Sequence, residues 1–143
     1  MDSKVSAVKV VCRFRPLNSS EHDRGDEYLP AFDTDNSVSF HGKTYTFDAV
    51  IKPEESQKTV YHSVASSVVD DVLNGQNGTL FAYGQTSSGK TFTMEGVNVH
   101  EQDKQGIVPR IASDLFTKIY QKPESLEFII KVRGAAKKNI KVL

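Results

Sequence analysis

One short run of the chain combines residue types and a spacing that could bind phosphate groups. It reads Gly84, Gln85, Thr86, Ser87, Ser88, Gly89, Lys90, Thr91. This run matches in full the pattern of glycine, four residues, glycine, lysine and serine or threonine. The two glycines let the backbone turn its N–H groups inward around an anion, beside the start of a helix. Lys90 adds a positive charge for the outer phosphates, and the hydroxyl of Thr91 suits Mg²⁺, which prefers hard oxygen ligands. The run therefore predicts a site for a nucleoside triphosphate and Mg²⁺.

Hydrolysis of such a nucleotide requires more than this loop. Phosphoryl transfer also uses an aspartate after an apolar strand to hold the Mg²⁺ shell, and a group that positions the attacking water. The apolar run after the loop, residues 126–132, is followed by no carboxylate. The nearest acids are Glu95, Glu101 and Asp103, in or beside a polar stretch. No catalytic residue is identified, so we expect either that one of these acids serves or that the catalytic half lies outside the chain.

The elements that flank the loop agree with a phosphate site. Residues 79–83 form a short apolar run, typical of a strand directly before the loop. A helix is predicted to begin at about Lys90 and to break at Gly96, where residues 96–106 become polar. A second helix follows over residues 108–120, with its apolar residues on one stripe and Pro109 in its first turn.

The rest of the chain also alternates between strand and helix patterns. Residues 8–14 alternate with period two and predict a strand, central in its sheet because Val11 makes both faces partly apolar. Residues 17–36 are mostly polar and predict an irregular segment at the surface. Residues 38–47 indicate either a hairpin that turns at His41-Gly42 or a loop. Apolar residues at helical spacing follow Ser56, a good N-cap, up to Asn74-Gly75. With a further strand at residues 126–132, this order favours a mixed sheet flanked by helices.

Length and charge limit the remaining possibilities. The 143 residues fit one domain, and 18 basic against 18 acidic side chains exclude a bulk attraction to nucleic acid or to an anionic membrane. No stretch resembles a leader peptide or a membrane span, so we expect an intracellular, soluble protein with no nucleic acid or membrane partner. Two glycosylation-like triplets, which begin at Asn18 and Asn77, are better explained as turns.

The other reactive side chains suggest no second site. The histidines show no metal-ligand spacing with the single cysteine, and we expect them at the surface: His22, His41, His62, His100. Cys12 shares an alternating face with Val8 and Val10, which favours a buried, inert thiol.

The longer run around the loop resembles a known family. Residues 77–96, which read NGTLFAYGQTSSGKTFTMEG, are similar to the phosphate-loop block of the kinesin motor domain. Three more blocks agree in order and spacing: residues 10–17 (VVCRFRPL), residues 47–50 (FDAV) and residues 106–111 (GIVPRI). The resemblance runs from about residue 8 to residue 132, and within kinesins it is closest to the conventional heavy-chain type.

The resemblance implies a P-loop NTPase that uses ATP and Mg²⁺ to move along microtubules in the cytoplasm, as part of the cytoskeleton. It also implies that Arg13, Arg15 and Pro16 lie beside the adenine. Without the resemblance, an exposed basic strand end with no ligand would be the simpler interpretation of these three residues.

The same resemblance divides the chain into a motor-like part and a short tail, and it leaves alternative functions open. Residues 1–132 correspond to the N-terminal part of a motor domain, so the α/β fold is expected to be an incomplete kinesin-type motor. Residues 133–143 are a basic tail that departs from the family, and a solvated end is a simpler interpretation than contact with acidic tubulin tails.

The Ser-Ser-Arg-Ser-His and Asp-Leu-Ala-Gly signatures of the family's nucleotide switches do not occur. We expect that dimerisation would need a stalk that the sequence lacks. The alternatives are a non-catalytic nucleotide-binding or interaction module and, less favoured, another phosphate-loop NTPase.

Overall fold

A parallel pair of strands forms the first part of the fold. The computed structural model describes residues 8–134, and strand β1 (Val11–Arg13) there pairs in parallel with a later strand, Ala49–Ile51, which is β5 in chain order. A backbone N–H from Phe14 to the carbonyl of Ile51 extends the pairing at 2.9 Å. β1 is shorter than predicted, and within residues 8–134 it has one partner strand rather than two. The prediction of a central strand was therefore wrong for this part of the chain, because apolar faces indicate burial and not the number of neighbouring strands.

Three antiparallel strands lie between β1 and β5 along the chain. They are β2 (Ala31–Phe32), β3 (Ser37–Phe40) and β4 (Lys43–Thr46), in the order β2-β3-β4. His41 and Gly42 join β3 to β4 with φ angles of 47° and 73°. Positive φ at both central residues is what a tight hairpin turn requires, so the predicted hairpin is confirmed.

The polar stretch at residues 17–36 contains more structure than predicted. A short helix, α1 (Ser19–Asp23), begins after Asn18, whose side chain accepts a hydrogen bond from the N–H of Glu21. Glu21 returns the contact to the N–H of Asn18, which completes a capping box. Asn18 is therefore a helix cap and not a simple turn residue. A five-residue helix is too short to show an apolar period, but the Asn-x-x-Glu spacing was a signal for it.

The predicted long helix after Ser56 is divided into two. Helix α2 (Gln57–Val64) has Ser56 as its N-cap, as predicted, and helix α3 (Ser66–Leu73) ends at Asn74-Gly75, also as predicted. The break falls at Ala65, which has φ −118°. The hydroxyl of Ser66 donates to the carbonyl of His62 at 3.0 Å. Such a bond to the preceding turn bends helices, which gives a local reason for the break.

Two helices follow the phosphate loop. Helix α4 (Lys90–Met94) begins and ends close to the predicted positions, and helix α5 (Ile107–Tyr120) has Pro109 in its first turn, as predicted. The polar stretch between them contains a 3₁₀ turn at Gln102–Lys104. On α5, Ile107 and Leu115 are buried, but Tyr120 is 88% exposed. The predicted apolar stripe of α5 is thus only partly buried in the described structure. A helical period predicts which residues share a face, but not how much of that face another element covers.

The core lies between β5 and the helices α2 and α5. Its buried members are Ile51, Val60, Tyr61, Ala65, Ile107. Leu80, just before the phosphate loop, and Met94, at the end of α4, pack against this cluster. The two ends of the loop region are therefore anchored in the core.

Two predicted strands are absent from the described structure. Neither residues 79–83 nor residues 126–132 form a β-ladder. Phe81 and Tyr83 are each 72% exposed, and Ile129 is 80% exposed. A strand needs a hydrogen-bonded partner as well as a suitable pattern, and residues 8–134 provide none for these two runs. The predicted tail at residues 133–143 lies almost wholly outside the described residues. Within those residues, every helix is too short or too polar to cross a membrane.

Candidate phosphate-binding site

The loop at residues 84–91 has a backbone that only certain residues adopt easily. Gly84 and Gly89 have φ angles of 155° and 93°. A Cβ on Gly84 would lie 2.6 Å from the hydroxyl oxygen of Ser88, which would have to rotate away, and the positive φ would strain any other residue there. Ser87 also has positive φ, at 67°, although it is not a glycine. The sequence predicted the two glycines but gave no signal for the left-handed conformation of Ser87.

Lys90 folds back over this loop. Its Nζ donates to the carbonyl oxygens of Gly84 at 2.8 Å and Gln85 at 2.6 Å. Residues 84–87 are exposed, while Lys90 is half-buried. The arrangement places one positive charge at the mouth of an exposed loop, which is where an anionic phosphate chain would approach. The close grouping of the predicted residues Gly84, Gln85 and Lys90 is consistent with the motif.

Thr91 occupies the first turn of α4, next to Lys90, and is exposed. Its backbone carbonyl accepts from the N–H of Glu95 at 2.8 Å, so the backbone of Thr91 belongs to the helix while the residue is exposed to solvent. A hydroxyl in this position fits one ligand of Mg²⁺, the others being water and phosphate oxygens. Residues 8–134 contain no group of three or more His, Cys, Asp or Glu side chains that could hold a metal ion by themselves.

Arg13 lies behind the loop and connects α2 to α4. Its Nη1 donates to Oε1 of Gln57 at 2.8 Å and to Oγ1 of Thr93 at 2.9 Å, and the guanidinium stacks on the ring of Phe92 at 5.2 Å. Gln57 is only 5% exposed and donates in turn to the carbonyl of Phe92 at 2.7 Å. Burial lowers the pKa of Arg13 from its ordinary value. Gln57 and Thr93 belong to no motif, so no signal in the sequence indicated that they lie at the site.

Arg15 contacts the loop directly. Its Nε donates to the carbonyl of Ser87 at 3.2 Å, and its Nη1 donates to the carbonyl of Pro16 at 2.8 Å. Nη1 and Nη2 also bind the two carboxylate oxygens of Glu21 at 2.7 and 2.5 Å. The hydrogen bond from Arg15, followed by the one from the N–H of Asn18, lowers the pKa of Glu21 to about 2. Glu21 was not predicted as part of the site.

The predicted adenine-side residues therefore lie in different surroundings. Arg15 is against the loop, Arg13 is one layer deeper, and Pro16 is exposed at the end of the strand. Contact of these three residues with a base stays a prediction.

The three acids considered as replacements for a catalytic aspartate are at the surface. Glu95 and Asp103 are exposed. Glu101 pairs with Nζ of Lys104 at 2.6 Å and accepts from Asn98 at 2.8 Å, and these hydrogen bonds lower its pKa. Glu101 is thus engaged in a local ion pair, and a catalytic role for any of the three has no support from these contacts.

Comparison with known proteins decides the family. The model of the kinesin motor domain matches residues 13–135. The chain belongs to the kinesin motor domain family. Its fold is the P-loop NTPase fold of that family, with both parallel and antiparallel strand pairing beside helices, as predicted.

Individual kinesins agree with this assignment. The chain is 56% identical over 126 residues to kinesin heavy chain isoform 5A of Mus musculus and 55% identical over 129 residues to the kinesin heavy chain of Drosophila melanogaster. Each match covers 88% of this chain, but only 12% and 13% of the two relatives. A solved structure titled "Structure of a fast kinesin: Implications for ATPase mechanism and interactions with microtubules" superposes with a TM-score of 0.79 and 37% identity. That superposition covers 82% of this chain and 34% of the other, so the chain spans only a small part of the proteins it resembles.

Proposed function

We propose that the chain is the Mg-ATP-binding part of a microtubule-based kinesin motor. Residues 84–91 would hold the nucleotide phosphates, Lys90 would bind the outer phosphates, and Thr91 would supply one Mg²⁺ ligand. The observation that carries this proposal is the tightly wound loop with the Nζ of Lys90 within hydrogen-bond distance of two of its carbonyls. Membership in a family of microtubule-dependent ATPases supports ATP over other nucleotides, and supports a place on cytoplasmic microtubules.

Lys90→Ala tests the phosphate loop. Loss of a hydrogen bond to a charged group weakens binding by about 10-fold to 100-fold, so we expect the affinity for a fluorescent ATP analogue to fall by at least that lower factor. Lys104→Ala is the matched control, because it removes an equal charge from an exposed pair with Glu101. Circular dichroism would verify that both variants keep their helices. Equal affinity of Lys90→Ala and the wild-type chain would refute the assignment.

Turnover is proposed only for a longer motor. The 143-residue polypeptide contains neither switch signature and no carboxylate after residue 127. We therefore expect the purified polypeptide to show no microtubule-stimulated ATP turnover. Stimulated turnover that disappears in Lys90→Ala would contradict this expectation.

The second candidate function is a nucleotide-binding or interaction module that does not walk. The exposed Phe81, Tyr83 and Ile129 favour it, because they leave apolar surface on the described chain that another protein could cover. Cosedimentation with microtubules distinguishes the two. A motor part that retains track binding would sediment with them in a nucleotide-dependent manner, and a separate module would remain in the supernatant.

A further inference from the structure

The loop contains one backbone conformation that its own residue does not favour. Ser87 has φ 67°, in the left-handed region where glycine is normally found. Its carbonyl oxygen accepts the hydrogen bond from Nε of Arg15. Because a trans peptide unit is planar, a carbonyl held on one side directs the next N–H to the opposite side. The N–H of Ser88 indeed points back into the loop, where it donates a hydrogen bond to the carbonyl of Gln85 at 3.3 Å.

Arg15 can hold that carbonyl only if its own guanidinium is fixed. Glu21 binds the guanidinium through both carboxylate oxygens, with distances of 2.5 and 2.7 Å. Bidentate pairing of this kind fixes the plane of the guanidinium as well as its position. One oxygen of Glu21 also accepts from the N–H of Asn18 at 2.8 Å, so the carboxylate is anchored to the start of α1.

The ion pair between Arg15 and Glu21 is partly exposed, which argues against a large role in the stability of the whole fold. The side chains of Arg15 and Glu21 are 36% and 16% exposed. Ion pairs at such positions contribute little to the free energy of unfolding. The geometric effect on Ser87 is therefore the more important consequence of the contact.

We propose that Glu21 is a positioning residue for phosphate binding, acting through Arg15 on the Ser87–Ser88 peptide of the loop. The proposal rests on the proposed function of residues 84–91. Among the described residues, the carboxylate of Glu21 forms hydrogen bonds with Arg15 and with the N–H of Asn18, and none with the loop. It fixes Arg15, and Arg15 fixes the carbonyl of Ser87. The N–H of Ser88 is thereby held inside the loop, where a phosphate oxygen would replace the carbonyl of Gln85 as its acceptor.

Glu21→Gln is the suitable perturbation. Glutamine is also accepted at this position of a capping box, so α1 is expected to persist while the charged bidentate pair is lost. We expect the full 143-residue chain with Glu21→Gln to bind both a fluorescent ATP analogue and inorganic tripolyphosphate about fivefold to tenfold more weakly. This loss is smaller than that expected for Lys90→Ala, because Glu21 acts on the phosphates only through Arg15. Tripolyphosphate has no base, so its weaker binding would show that the effect is on the phosphates.

Ser87→Gly provides a readout that a merely structural role would not change. Glycine adopts positive φ without support, so the loop should no longer depend on Arg15. In the Ser87→Gly background, Glu21→Gln should change tripolyphosphate affinity by less than about twofold, which would appear as coupling in a double-mutant cycle.

Two controls separate the possible outcomes. Asp26→Asn removes the other arginine–carboxylate pair of this region, with Arg24, and Asn18→Ala removes the cap of α1. Neither should weaken tripolyphosphate binding. An equal loss in Asn18→Ala, or a loss of ATP-analogue affinity alone in Glu21→Gln, would overturn the proposal.

The proposed function can fail separately. If Lys90→Ala abolishes binding and Glu21→Gln does not alter it, the phosphate loop stands and the positioning role is wrong. If the wild-type chain binds neither probe, both are wrong.

Discussion

Gly96 closes the stretch between α4 and α5, and we expect Gly96→Ala to destabilise the protein severely. Gly96 has φ 87°, which alanine adopts only with strain. An added Cβ would also meet the backbone carbonyl of Lys104 and lie 2.6 Å from the backbone nitrogen of Gly106. Neither backbone atom can move away by a side-chain rotation, so the segment around Gly96 and the segment at residues 104–106 must separate.

The size of the effect follows from these contacts. The left-handed conformation costs an alanine about 1–2 kcal/mol. Separation would break the hydrogen bonds from the N–H of Val97 to Lys104 (3.2 Å) and from the N–H of Gly106 to Glu95 (3.1 Å). At about 1 kcal/mol for each bond, the free energy of unfolding should fall by about 3–4 kcal/mol in total.

Gly75→Ala is the matched control. Gly75 has a similar φ of 83°, but a Cβ there would have no heavy atom within 4 Å. Only the backbone strain remains, so we expect a loss of about 1–2 kcal/mol. Urea unfolding followed by circular dichroism would give both values. Equal destabilisation by the two substitutions would refute the role of the Gly96 closure, since the strain term is common to both.

Three further predictions concern stability. Tyr61→Phe removes the hydroxyl that donates to Asp114 at 2.5 Å, and should reduce the free energy of unfolding by about 1–3 kcal/mol in urea titrations, because the Asp114 carboxylate loses a donor. Ser56→Ala should cost about 1 kcal/mol in the same assay through loss of the N-cap of α2, whereas no change would show that the cap is replaceable. Glu21 has a pKa of about 2 in the folded chain against an ordinary value of 4.5, so the small stabilising contribution of its pair with Arg15 is complete above pH 4.5 and is lost as the pH falls toward 2. The unfolding temperatures of wild type and Glu21→Gln should therefore differ slightly at neutral pH and coincide in acid.

The parts of the fold that depend on local sequence could be predicted. The phosphate motif, the caps at Ser56 and Asn74-Gly75 and the hairpin at His41-Gly42 each depend on neighbouring residues. The start of α5 before Pro109 belongs with them. In each case a few adjacent residues fix the backbone, so the sequence carries the whole signal.

The parts that depend on distant partners could not be predicted. Residues 79–83 have a strand pattern but no ladder partner in the described chain. Arg15, singled out for a base, contacts the carbonyl of Ser87 and the carboxylate of Glu21. Glu21 lies six residues from Arg15, and no motif links either of them to Ser87. These contacts arise from the packing of β1, α1 and the loop, which no local pattern specifies.

Amide NMR of the isotope-labelled chain titrated with Mg-ATP tests the central claim most directly. We expect chemical-shift changes concentrated in the backbone N–H groups of residues 84–91 and at Nε of Arg15, and their loss in Lys90→Ala. The contrasting location is the open cavity of about 400 Å³ between the ends of α3 and α5, lined by residues that include Asp70 and Lys118. Shift changes centred on that cavity, or no change at residues 84–91, would contradict the assignment of the loop as the nucleotide site.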